Sequence, residues 1–132
     1  LFQELPVPCL AAIEGPCVGG AVSVSLGCDV LVASENAYFE IPAIRLGLLY
    51  NPDSMVRLHA RLGSSSLTRL LLLGERWNAQ TALQSGMLDW GVPEGSAHKK
   101  ALELVRKMVD APNAVSSTKS RILALEQGES NL

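Results

Sequence analysis

Glu14-Gly15-Pro16-Cys17-Val18-Gly19-Gly20-Ala21 is the stretch that decides how this chain is read. Before it lies an apolar run, Cys9 to Ile13; after it comes a short segment, Ala21 to Leu26, ending at Gly27. The run follows Pro6 and Pro8, and it is short and apolar enough for a strand covered on both faces. The segment after the glycines is expected to be helical, so the order is strand, glycines, helix. The first amides of such a helix have no intrahelical acceptor and carry the positive end of its dipole. Glycine lets a ligand approach the backbone closely, and ligands of α/β sheets gather at the carboxyl ends of strands. An amide at Gly20 is therefore placed to donate to an oxygen on which negative charge develops. The same glycines also serve a tight turn and close packing, and from the residues alone both readings stand. Phosphate cradling is the weaker reading, because neither G-x-G-x-x-G nor a Lys-Ser/Thr ending is present.

Working outward, Val30 to Ala33 and Tyr38 to Ile41 are two more candidate strands, the second closed by Pro42. The first two runs are far enough apart for a crossover, which needs about a dozen residues, and such a unit is expected to be parallel and right-handed. The remainder reads as helical. Met55 to Leu62 ends at Gly63, with Asp53 and Ser54 expected as its cap. Ser64 to Ser66 lead into a helix with Leu67, Leu70 and Leu71 on one stripe, stopped by Gly74. Asn78 caps Ala79 to Ser85, with Gly86 as the C′ glycine. Ala97 to Val109 and Asn113 to Gln127 complete the set. Trp77 and Trp90 are expected to pack at helix ends, and Arg57, Arg61, Arg69, His59 and His98 to lie on solvated faces.

A chain of 132 residues allows one domain, and 48% hydrophobic with 18% charged residues is an ordinary globular balance. The formal net charge of -2 gives no argument for nucleic acid or an anionic membrane, and no apolar run approaches the length that spans a bilayer. Cys9, Cys17 and Cys28 lack a C-x-x-C spacing and read as reduced thiols of a cytoplasmic compartment. Cys17, in the glycine-rich stretch, is either a small buried hydrophobe or a reactive thiol. No metal-ligand spacing surrounds either histidine. A start at Leu1 suggests a partial chain.

Two blocks carry a family resemblance. PVPCLAAIEGPCVGGAVSVSLGCDVLVASENAYFEIPAIRLGLL, residues 6 to 49, resembles the crotonase (enoyl-CoA hydratase/isomerase) stretch in which a strand meets a G-x-x-x-G-G turn, a helix, then C-D and a strand. LGSSSLTRLLLLGERWNAQTALQSGMLDWGVPEG, residues 62 to 95, resembles the family's following block, G-x-x-x-A-x-x-x-x-L-T-G-x-x-x-x-A-x-x-A-x-x-x-G-L-V. The resemblance implies an α/β fold of ββα units in a superhelix. Residues 1–63 would carry the oxyanion-hole part and residues 64–132 a helical trimerisation region. It further implies a homotrimer or dimer of trimers, an acyl-CoA thioester as substrate with coenzyme A as part of it, no separate cofactor and no metal. An earlier half of the domain would supply the second oxyanion amide and most adenine and pantetheine contacts.

The family's acid/base residues can be sought one at a time. Hydratases of this type carry a Glu three residues after the oxyanion glycine, where this chain has Ser23. A second Glu follows the F-x-x-P segment, where this chain has Ala43. Paired carboxylates poise a water for addition to an enoyl thioester, and a serine hydroxyl needs its own activator. Glu40 lies an odd number of residues from Ala43 and points the other way if both are extended. Asn51 and Asp53 fall in the loop where some members place an Asp; Asn51 aligns with it better, and an amide cannot act as a base. Tyr50, in RLGLLYNPDS, resembles a tyrosine of the methylmalonyl-CoA decarboxylase branch that contacts the acyl end of the substrate. A phenol can donate there without changing charge, or it can be a half-buried side chain with a satisfied hydroxyl. Gly20, Ser23 and Tyr50 are thus the catalytic candidates, and Gly19, Pro42, Ala43 and Asn51 the substrate-binding ones. The expected activity is that of an acyl-CoA enzyme stabilising a thioester enolate through backbone amides. The alternatives are a malonyl-type acyl-CoA decarboxylase and a catalytically silent acyl-CoA-binding paralogue.

Overall fold

The computed structural model describes residues 2–128. Its chain order repeats one unit. Strands β1 (Leu10–Ile13) and β2 (Pro16–Val18) precede helix α1 (Gly20–Leu26), and strands β3 (Val30–Ser34) and β4 (Tyr38–Glu40) precede helix α2 (Pro52–Leu67). Successive units stack. β1 pairs in parallel with β3, Leu10 opposite Val30, and β2 pairs in parallel with β4, Val18 opposite Glu40. The first strand of each unit thus joins one sheet and the second strand another, as a ββα superhelix requires. The parallel β1–β3 pairing expected from the crossover length is present.

β3 shows why its sequence is continuously apolar. Side chains alternate across a strand, and Leu31 and Ala33 enter a core with Val22, Leu26, Phe39, Leu58 and Leu70. Val32, on the other face, packs with Ala97, Ala101 and Leu104 of helix α4 (Ala97–Arg106). Truncating a fully buried side chain such as Phe39 to alanine would cost about 3–5 kcal/mol.

Several expectations are corrected. The region after Gly63 is not wholly helical. Trp77–Asn78 forms β5, antiparallel to β4, and Trp90–Val92 forms β6, parallel to β3. Trp77 and Trp90 therefore lie in strands. Runs of two and three residues are too short to show a period of their own. Pro16–Val18, read as part of a turn, is a strand because β4 supplies its partner. Helix α2 begins at Pro52, and its cap is Asn51, whose side-chain oxygen accepts from the Asp53 amide at 2.9 Å. Asp53 and Ser54 are inside the first turn. Gly63, at φ 73°, kinks α2 where a helix end was expected, and Thr68–Leu72 continues as a π-helical turn. Helix α3 (Ala79–Ser85) has the expected Asn78 cap and Gly86 in the left-handed region. α4 stops at Arg106, and helix α5 (Pro112–Glu126) closes the described chain.

Arg57 and Arg61 are not on a solvated face. Arg57 pairs with Glu126 at 2.8 Å and Arg61 donates to the Met87 carbonyl at 2.7 Å, both side chains largely buried. Arg69 is exposed and pairs with Glu75.

Candidate active site

β2 ends at Val18, Gly19 turns the chain, and Gly20 is the first residue of α1. Gly19 holds φ 59° and ψ -119°, a left-handed conformation that glycine reaches without strain from a Cβ. Its N–H extends the β2–β4 pairing by donating to the Glu40 carbonyl at 2.8 Å. Its carbonyl accepts from the Val22 amide at 3.0 Å and from the Tyr50 hydroxyl at 2.9 Å. The Gly20 amide has no acceptor among the described residues. A Cβ built on either glycine meets nothing within 4 Å, so no neighbouring atom crowds the side of the turn where a side chain would stand.

Behind the turn runs a chain of hydroxyls. Ser54 Oγ donates to Ser23 Oγ at 2.8 Å, and Ser23 Oγ lies 2.6 Å from Tyr50 Oη. Tyr50 has one proton, and it goes to the Gly19 carbonyl. Ser23 therefore donates to Tyr50 and Ser54 to Ser23. Burial pushes the Tyr50 phenol above its ordinary value, against the lowering effect of the Ser23 bond. It stays protonated, a donor, near neutral pH. Ser23 has hydroxyl partners only, with neither carboxylate nor imidazole to activate it.

Two cavities adjoin these residues. Tyr50 lines an apolar one of about 260 Å³ with Ala43, Ile44, Leu48, Leu49 and Leu72. Ser23, Asn51, Asp53 and Ser54 line a second, of about 310 Å³. The structure thus gathers Gly19, Ser23 and Tyr50 in one hydrogen-bonded group, with Gly20 next along the chain. Ala43 shares the apolar cavity with Tyr50, and Asn51, its oxygen engaged in capping, shares the other with Ser23. Pro42 lines neither. A larger hollow of about 390 Å³ lies beneath α5 among Arg57, Lys119 and Glu126, away from the glycines.

Glu40 is not available as a base. Its carboxylate is 5% exposed and bonds Arg45 at 2.7 Å and Arg76 at 3.1 Å. The bond to Arg45, with Arg76 behind it, holds the carboxyl below the usual Glu value. Ala43, the position where a second glutamate was sought, is not extended at all, with φ -56° and ψ -42°.

Residues 1–127 match the family model described as enoyl-CoA hydratase/isomerase. The chain belongs to this family. It is 35% identical to the 2,3-dehydroadipyl-CoA hydratase of Escherichia coli K12, over 96% of the chain and 52% of that protein. It is 31% identical to a "probable enoyl-CoA hydratase 2, mitochondrial" of Arabidopsis thaliana, over 92% of the chain and 40% of that protein. A solved enoyl-CoA hydratase/isomerase family protein from Hyphomonas neptunium superposes with TM-score 0.94 at 32% identity, covering 98% of this chain and 50% of the other. The chain spans about half the length of the relatives it matches.

Within this crotonase-type fold, sequence reasoning missed three groups that hold the site in place. Glu14, next to the glycine stretch, accepts from the Ala97 amide at 2.8 Å and the Gly95 amide at 3.1 Å, and so caps α4. Lys119 binds the carbonyls of Phe2 and Val7 and the Asp29 carboxylate. Ser54 feeds the hydroxyl chain. Each partner is many residues away, so no local pattern announces it.

Proposed function

We propose that the protein acts on an acyl-CoA thioester, with the Gly20 amide donating to the thioester oxygen as it becomes an enolate or oxyanion. The observation that carries this reading is the Gly20 amide itself, at a strand–glycine–helix junction with no acceptor among the described residues. Family membership, and relatives named as hydratases, support the acyl-CoA class. Coenzyme A enters as part of the substrate. Gly19, Pro42, Ala43 and Asn51 are proposed to border the bound thioester.

Neither of the two expected glutamate positions, nor Glu40 beside them, supplies a base. Ser23 is held among hydroxyls, Ala43 lacks a functional group, and Glu40 is paired with two arginines. That favours, as a second reading, decarboxylation of a malonyl-type acyl-CoA, where departure of CO₂ generates the enolate without a base. The test is to incubate full-length protein with enoyl-, 3-hydroxyacyl- and malonyl-type CoA esters and read the products by mass spectrometry. Conversion of any of these establishes the thioester reading. Fast hydration with no malonyl-type turnover overturns the decarboxylase reading, and binding without conversion points to a silent paralogue.

Assembly as a homotrimer or dimer of trimers belongs to the same proposal. Leu46, Leu48, Leu49, Leu72 and Leu73 are exposed apolar side chains that a neighbouring subunit would cover, and light scattering of the full-length protein tests it. Among the described residues no helix is long and apolar enough to cross a membrane. Cys9, Cys17 and Cys28 are all free, which supports a reducing compartment such as the cytoplasm. Burial pushes the Cys17 thiol up, so it behaves as a packed side chain.

A further inference from the structure

The hydroxyl of Tyr50 points at the backbone of the glycine turn, and its single proton is committed there. The group it binds is one half of a planar unit. In a trans peptide the carbonyl of one residue and the N–H of the next lie in one plane and point in opposite directions. The Gly19 carbonyl and the Gly20 N–H belong to the same peptide, so whatever fixes the carbonyl fixes the direction of the amide.

Two glycines flank that peptide, and glycine imposes little preference on the plane's rotation. The Gly19 carbonyl has two partners, the Val22 amide at 3.0 Å within the turn and Tyr50 Oη at 2.9 Å from outside it. Val22 is itself buried in the core but lies on α1, only three residues from the carbonyl it bonds; the tyrosine comes from outside the turn, with its ring packed against the same core. The hydroxyls behind it all donate in one direction, from Ser54 on α2 to Ser23 on α1 to Tyr50 to Gly19. Successive donors in a chain polarise one another, which draws charge onto the Gly19 carbonyl and, through the amide resonance, makes the Gly20 N–H a stronger donor.

We propose that Tyr50 is a positioning residue for the Gly20 amide, acting through the Gly19–Gly20 peptide and not by touching the substrate. The proposal rests on the oxyanion reading above. It differs from a role in which the phenol donates to an acyl carboxylate, since that donation would require release of Gly19.

The experiment uses full-length protein, Tyr50→Phe, and protein with 3-fluorotyrosine at position 50. The fluorinated phenol keeps the shape of tyrosine and is a stronger donor. Each is mixed with a conjugated arylacryloyl-CoA, whose absorbance moves to the red as its carbonyl is polarised. Turnover is then measured on whichever CoA ester proves to be the substrate. Tyr50→Phe is expected to reduce the red shift and lower kcat about tenfold, with KM changed less than about twofold, a milder effect than outright loss of an oxyanion donor, which costs about 100- to 1,000-fold. The fluorinated protein is expected to increase the red shift. If unsubstituted protein produces no red shift, the oxyanion reading fails and the positioning role with it. If unsubstituted protein does shift the absorbance, but the phenylalanine variant or the fluorinated protein matches it, the positioning role alone is overturned. A rise in KM confined to carboxylate-bearing esters would likewise overturn it, by placing the hydroxyl on the substrate.

Discussion

The Glu40 carboxylate lies between Arg45 and Arg76 while its main-chain carbonyl holds the Gly19 amide. Side chain and backbone of one residue therefore tie the arginines to the glycine turn. Because the bond to Arg45 lowers the folded-state value below the ordinary 4.5, the ion pairs stabilise the fold fully above pH 4.5. Their contribution is lost as pH falls through the depressed folded value. Glu40→Gln should accordingly be less stable than the parent at pH 7, and the two should converge in acid. Denaturant titrations at a series of pH values check this, and parallel curves would show that Glu40 contributes no charge-dependent stability.

At the scale of elements, helix ends are held by groups distant in sequence. α4 has no side-chain cap of its own at Ser96, and Glu14 accepts its first amide, that of Ala97, together with the Gly95 amide just before it. Glu14→Ala is expected to cost about 1 kcal/mol, the usual loss of a cap, and Glu14→Gln less, because the amide oxygen still accepts. Chemical denaturation of both variants measures the difference; equal losses would mean that the charge of the carboxylate, and not its acceptance of these hydrogen bonds, carries the cap. The α3 end is set by sterics. A Cβ on Gly86 would stand 2.9 Å from the Arg61 carbonyl of α2, and the residue already has φ 92°. Gly95→Ala also forces a positive φ, but into open space. Gly86→Ala should destabilise by about 1–3 kcal/mol, and by more than Gly95→Ala, in the same measurement.

Across the whole molecule, Lys119 joins the last helix to the first residues. Its ammonium, 8% exposed, binds the Phe2 and Val7 carbonyls and lies 2.9 Å from Asp29. Removing one partner of a fully buried pair costs about 3–5 kcal/mol; Asp29 keeps partial access to water, so Lys119→Met is expected to cost about 2–3 kcal/mol. Hydrogen exchange should then show α5 opening ahead of the sheets. Uniform loss of protection throughout the chain would instead make Lys119 part of the global core.

The glycine turn, β1, β3, β4 and the Asn78–Gly86 frame of α3 were legible because each is a local pattern: an apolar run, a breaking glycine, a cap at fixed spacing. The absence of carboxylates at positions 23 and 43 was equally plain. The α2 cap fell to Asn51 where Asp53 was expected, because the helix starts at Pro52, one residue earlier than Asp53. β5 and β6 exist because β4 and β3 offer their edges, and Arg57 and Arg61 are buried because α5 and the Met87 and Asp89 region close over them. The hydroxyl chain joins residues 27 and 31 positions apart. Local chemistry determined the turn and its open amide. Only the stacking of one ββα unit on the next, which brings distant side chains within hydrogen-bond reach, decided that Tyr50 would face Gly19.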